Sequence, residues 1–162
     1  IAGEQALRDV VRLMDSGADI AEARRALRSE PDYGEVMAKL KGARRLKIYR
    51  LGAWVVCTTL VGSFQAHVAR SVLFLGADVS MAGGVSEGET RVSLRASQRF
   101  FESTGVRLGV DVAEQVAAEL GGHGGGHATA ASFECGAGEE DAVAGALKRL
   151  SILLGTETQE IS

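Results

Sequence analysis

Residues 43–61 read ARRLKIYRLGAWVVCTTLV, and the period of this stretch decides the fold. Leu46 and Ile48 alternate with Arg45, Lys47 and Tyr49, the two-residue repeat of a strand with one buried face. Leu51 and Gly52 then make a tight turn into the continuous apolar run Ala53 to Val61, the pattern of a strand covered on both faces. That run is about half of what a membrane-crossing helix needs, so it belongs to a sheet.

Working outward, the first forty residues have helical spacing instead: Leu7, Val10, Val11 and Met14, then Ile20, Ala23 and Leu27, then Tyr33, Val36, Met37 and Leu40. Asp19 with Glu22 and Asp32 with Glu35 resemble capping boxes, and Pro31 separates the second helix from the third. Downstream, Gln65 to Leu75 reads as a helix, Asp78 to Gly84 and Thr90 to Ala96 as strands joined through Ser86 and Gly88. Asp111 with Glu114 reads as the start of a helix that Gly121 closes. Thr129 to Cys135 is a small-residue strand, and Val143, Leu147, Leu150 and Leu154 mark a last helix whose positive end carries Glu139, Glu140 and Asp141. The expected fold is α/β, a mixed sheet of about five strands flanked by helices and preceded by a helical connector arm. Residues 1–42 are the arm, 43–155 the sheet domain and 156–162 a frayed tail. A chain that opens on Ile1 inside a helical pattern is expected to be a fragment of something longer.

Composition removes whole classes of function. Of 162 residues, 18 are basic and 21 acidic, a formal charge of −3 that is too near balance for a protein coating nucleic acid by bulk charge. Any anion site must be local. Cys57 and Cys135 lie in apolar, strand-like surroundings and form neither a disulfide framework nor a zinc cluster, which fits a reducing, cytoplasmic setting. No membrane association is expected.

Two segments can carry chemistry. Five of the seven residues in Gly121-Gly122-His123-Gly124-Gly125-Gly126-His127 are glycine, a loop on entropic grounds, whose bare amides can turn towards one point as a nest for phosphate. The plainer reading is a helix cap followed by a flexible linker. His127 can add a hydrogen bond or a charge to a held phosphate. In Arg91-Val92-Ser93-Leu94-Arg95, strict alternation sends Arg91, Ser93 and Arg95 to one face, where two guanidinium groups flank a hydroxyl. The plainer alternative pairs those arginines with Glu87, Glu89 or Glu102. Charge-assisted hydrogen bonds contribute about 1.5–3 kcal/mol each, so two or three would hold a nucleotide end at millimolar to micromolar affinity. Hydrolysis needs an activated nucleophile or a metal, and no Asp-x-Asp pair or Asp-His-His is present. The basic run Lys39, Lys41, Arg44, Arg45, Lys47 and Arg50 reads as a solvated face, and Trp54, Phe100 and Phe101 read as core.

Gly124-Gly125-Gly126-His127-Ala128-Thr129-Ala130-Ala131, preceded by the Arg91–Arg95 strand, resembles the DHH-associated C-terminal domain of RecJ-like phosphoesterases. The similarity runs from about Arg44 to Leu154, with the first forty residues like the helical connector of that family. His123 within the glycine run, Ser132 after the Ala-Ala pair and the long link from Ala96 to Gly109 depart from the pattern. The resemblance implies a substrate-binding domain in which Arg91, Ser93, Arg95, Gly124, Gly125, Gly126 and His127 contact the phosphate and sugar of a nucleotide or short single-stranded nucleic acid. It implies that a separate Asp-His-His domain of the same parent protein holds manganese and cleaves the phosphodiester, so that this chain has no catalytic residue, metal or cofactor of its own and is inactive in isolation. A homodimer is compatible with it. The alternative is a nucleic-acid-binding or dimerising appendage of an alanyl-tRNA synthetase-like protein, and a third reading is a purely structural module.

Overall fold

The computed structural model describes residues 3–26 and 32–161, so Leu27 and Pro31 of the expected arm lie outside the described residues. The chain divides into two compact units, 1–32 and 33–162. In the first, α1 (Glu4–Asp15) and α2 (Ile20–Ala26) form at the expected spacing. Asp19 caps α2, its Oδ1 accepting from the amides of Ala21 and Glu22. Glu4 pairs with Arg8 one turn on in α1.

The second unit holds α3 (Tyr33–Arg44), β1 (Lys47–Leu51), β2 (Trp54–Leu60), α4 (Gln65–Phe74), β3 (Val79–Ser86) and β4 (Glu89–Ala96). There follow α5 (Gln98–Thr104), a π-helical turn (Leu108–Ala113) running into α6 (Glu114–Glu119), β5 (His123–Gly126), β6 (Ala130–Cys135), α7 (Glu139–Leu154) and β7 (Thr158–Glu160). Seven strands make one mixed sheet in the order β5-β6-β4-β3-β2-β1-β7. Only β2 and β3 pair in parallel, as a crossover through α4 requires, while the other neighbours are antiparallel.

The sheet separates two apolar clusters. Leu51, Val56, Met81, Val92, Leu94 and Phe133 face α5, α6 and α7, with Phe100 fully buried among them. Cys57, Val61 and Ala82 face α3 and α4, which supply Ala38, Val68 and Val72. Trp54 stacks edge-on against Phe100 at 5.2 Å, so both are core as their pattern indicates.

Two strands exceed the expected five. The tail 158–160 pairs with β1, Tyr49 opposite Glu160 and Leu51 opposite Thr158, instead of fraying. Its residues are exposed and polar, so no apolar alternation marks it. The glycine run, expected as a loop, is edge strand β5, with Gly124 opposite Phe133 and Gly125 opposite Ser132. Asp111 likewise does not open a helix. It lies inside the π-helical turn, and its carboxylate accepts from the Arg107 amide at 2.7 Å.

Candidate functional site

The period of β4 sends Val92 and Leu94 into the core and leaves Arg91, Ser93 and Arg95 on the opposite face of the sheet. On that face α4 packs over β3 and β4 with α3 beside it, and at the first turn of α4 the sheet opens into a cleft of about 460 Å³. Its floor is Arg91, Ser93 and Arg95 of β4, Ser132 of β6 and Gly125 with Gly126 of β5; its wall is the segment Phe64–His67 at the start of α4. The volume is within the range of small-molecule sites, about 300–1,000 Å³.

The two arginines of the floor have different circumstances. Arg91 donates from Nε to Glu134 Oε1 at 2.9 Å, and His123 Nε2 lies 3.3 Å from the other oxygen of the same carboxylate. These three share one face of adjacent strands, Arg91 and His123 each standing opposite Glu134. Glu134 is a partner that sequence reasoning did not name. Arg95 has no carboxylate partner among the described residues. Its Nη1 donates to the carbonyl of Leu94 at 2.8 Å, with that of Ala131 at 3.5 Å. Burial lowers the pKa of its guanidinium, and the positive charge of Arg70 lowers it further. An arginine stays protonated through such a shift. Arg95 therefore keeps a positive charge that no carboxylate pairs among the described residues and that Arg70 reinforces, while Glu134 is taken by Arg91 and Glu114 Oε1 would stand 3.8 Å from a Cβ on Gly125.

Ser93 is 2% exposed and lines the cleft between the two arginines, directly opposite Ser132. The expected amide nest is not formed: in a strand successive N–H groups point to opposite sides and cannot converge on one ion. The glycines answer a steric need instead. A Cβ on Gly124 would stand 2.5 Å from Phe133 Cβ and 2.8 Å from the carbonyl oxygen of Ala113, so α6 and its π-helical turn could not lie against β5. At Gly125 the nearest atom is 3.8 Å away, and the bare backbone there is open to the cleft with Gly126 beside it. Gly124 lines a neighbouring, smaller cleft with Arg91, His123 and Glu134. His127, immediately after β5, is exposed and lines neither cleft, and its amide donates to Ala130. The structure thus brings Arg91, Ser93, Arg95, Gly125 and Gly126 into one cleft and leaves Gly124 and His127 beside it.

Four groups escaped the sequence reading: Phe64, Gln65 and His67 in the cleft wall, and Arg70 beside it. Arg70 stands four residues after Ala66 and so on the same face of α4, a spacing that was there to be read. Phe64 has a left-handed backbone, φ 59°, and its ring meets that of His67 edge-on at 6.0 Å. Gln65 is 93% buried in the cleft wall, and its Nε2 has no hydrogen-bond partner among the described residues. The basic run lies outside the cleft: Arg45 donates to the carbonyl of Leu60, Arg50 to that of Gly52, and Lys39 pairs with Glu35. Among the described residues no three His, Cys, Asp or Glu side chains cluster as a metal site, and no helix is long and apolar enough to cross a membrane.

No family model matches the chain. An uncharacterized protein of Methanocaldococcus jannaschii is 33% identical over 104 residues, which are 64% of this chain and 31% of that one, so the chain spans about a third of the length of the curated relative it matches. Among solved structures, an exopolyphosphatase-related protein from Bacteroides fragilis superposes on 94% of this chain and 45% of its own, with a TM-score of 0.66 at 17% identity. The C-Ala domain of Aquifex aeolicus alanyl-tRNA synthetase matches 67% of this chain and 97% of its own (TM-score 0.50, 18% identity). A DHH-domain protein described as a member of the S1p family of ribosomal proteins matches 72% and 30% (TM-score 0.50, 11% identity). At such identities the shared property is the fold, and this chain has the fold that a DHH-domain protein and an exopolyphosphatase-related protein carry as part of longer chains.

Proposed function

We propose that this chain is the substrate-binding domain of a DHH-type phosphoesterase, holding the phosphate of a nucleotide or of a short single-stranded nucleic acid in the cleft between β4, β5 and α4. The observation that carries this reading is Arg95: a half-buried guanidinium without a carboxylate partner, beside Ser93 and the open backbone of Gly125 and Gly126, with the charge of Arg70 behind it. The Arg95 guanidinium and the Ser93 hydroxyl can then both donate to one phosphate in charge-assisted hydrogen bonds, and the bare glycine backbone leaves room for it. Arg91 is the weaker contributor because Glu134 already claims it, and His127 would reach the ligand from the rim. In this reading bond cleavage would fall to a separate metal-bearing domain of the parent protein, and manganese held there would supply the activated water. Cytoplasmic location follows from that substrate.

The test is calorimetric titration of the chain with AMP, pyrophosphate and a short oligoribonucleotide. Binding in the micromolar to millimolar range that falls about 10- to 100-fold in Arg95→Ala supports the reading. Equal affinity in the variant refutes it.

The likeness to the C-Ala domain favours a second reading, an RNA-binding or dimerising appendage of a synthetase-like protein. Tight tRNA binding that is indifferent to Arg95 would select that reading.

A further inference from the structure

The cleft described above has two chemically different sides. Its floor offers guanidinium, hydroxyl and bare backbone, all suited to an anion. Its wall offers rings. Phe64 precedes α4 as its N-cap residue, in the left-handed region with φ 59° and ψ 31°, a conformation uncommon for a bulky side chain. Ser63 and Gly62 before it are exposed, whereas Phe64 is half-buried against the Val68 cluster, so the ring is held by packing on one side and meets the cleft on the other. His67, one turn later, has a half-exposed side chain whose ring stands 6.0 Å from that of Phe64 at 77°. Nε2 of the imidazole has Glu35 Oε2 at 4.0 Å. An inorganic phosphate chain has no apolar surface with which to use such a wall. A nucleobase has a π face that stacks on an aromatic ring whatever its hydrogen-bonding edge.

We propose that Phe64 and His67 form the base-stacking wall of this cleft, so that it selects nucleotides over inorganic polyphosphates, with the base on the α4 side and the phosphate over Ser93 and Arg95. The inference rests on the reading of the floor as a phosphate site.

The experiment titrates the whole chain with adenosine, AMP and pyrophosphate, in the wild type and in Phe64→Leu, Phe64→Ala, His67→Ala and Arg95→Ala. Phe64→Leu keeps the apolar bulk that the Val68 cluster needs and removes only the π face; circular dichroism verifies that each variant is folded. The expected result is AMP bound at least tenfold more tightly than pyrophosphate, a fall of about tenfold for AMP in Phe64→Leu and Phe64→Ala, a smaller fall in His67→Ala, and pyrophosphate affinity unchanged in all three. Pyrophosphate and AMP bound alike, with Phe64→Leu indifferent to both, overturns the aromatic wall and leaves the phosphate floor standing. Adenosine binding that depends on Phe64, with pyrophosphate not bound and Arg95→Ala without effect, keeps the wall and removes the phosphate floor. No binding by any ligand overturns both.

Discussion

Glu134 stands directly opposite Arg91 across β4 and β6, and its Oε1 accepts from Arg91 Nε at 2.9 Å. One of the two guanidinium groups of the cleft is thereby partly neutralised while the other, Arg95, is not. Removing the carboxylate should release Arg91 for a ligand and raise the positive potential of the floor. Glu134→Gln is expected to tighten AMP binding about threefold, the scale of a partly exposed charge pair, and Arg91→Ala to weaken it far less than Arg95→Ala. Titration at two ionic strengths checks both, since the gain in Glu134→Gln should shrink with added salt.

The glycine run makes a second, sharply divided expectation. Gly124→Ala puts a methyl group 2.5 Å from Phe133 Cβ and against the Ala113 carbonyl, where neither β6 nor the π-helical turn can retreat cheaply. Overpacking of this kind costs about 1–3 kcal/mol. Gly125→Ala meets nothing closer than 3.8 Å and should leave stability within about 0.5 kcal/mol while narrowing the floor of the cleft. Urea denaturation separates the two variants, and ligand titration of Gly125→Ala should show weakened binding in a fully stable protein. A Gly124→Ala variant as stable as the wild type would mean that α6 and β5 are less tightly apposed than the structure has them.

The division between Gly124 and Gly125 also explains what could and could not be read from residue order. Alternation in Arg91–Arg95 was legible because Val92, Leu94 and Ala96 make one face of β4 apolar there, and the period-two signal is then unambiguous. The same rule cannot see β5, whose three residues after His123 carry no side chains to alternate and whose strand character comes from close approach to β6 and the π-helical turn. Nor can it see β7, a polar edge pairing through backbone alone. The wall of the cleft was hidden for a different reason. Phe64 sits in a connection with no period, and the influence of Arg70 on Arg95 arises only once α4 crosses from β2 to β3.

Gln65 has a stability consequence of its own. Its Nε2 is buried with no acceptor among the described residues, and an unpaired buried donor costs about 1–3 kcal/mol. Replacing the carboxamide by an apolar group of similar size should therefore stabilise the unliganded chain: Gln65→Leu is expected to raise Tm by about 2–4 °C, the shift that roughly 1 kcal/mol produces in a chain of this length. Scanning calorimetry measures it. A lower Tm in Gln65→Leu would show that the amide has a favourable role in the free protein.

The last expectation concerns acid. Asp111 accepts from the Arg107 guanidinium, Nη2 to Oδ1 at 3.0 Å and Nε to Oδ2 at 3.3 Å, and from the Arg107 amide at 2.7 Å. These contacts favour the ionised form and hold the Asp111 carboxyl below its ordinary pKa, the side-chain bond to Arg107 contributing most. A carboxyl depressed on folding adds stability that is present above its unfolded pKa of about 3.9 and disappears as pH falls through the lower, folded value. Asp111→Asn should therefore be less stable than the wild type at neutral pH, by about 1 kcal/mol for a charge-assisted bond made at a partly exposed site. The gap should close as the pH falls below the unfolded value and on through the lower, folded one, where the wild-type carboxyl is itself protonated. Urea unfolding of both proteins across that range measures the closure. The Arg149 contact, which is to the Asp111 backbone carbonyl, survives the substitution and keeps the π-helical turn seated on α7 in both. A difference that stayed constant through the acid titration of the carboxyl would assign the effect to packing of the turn and not to the charge.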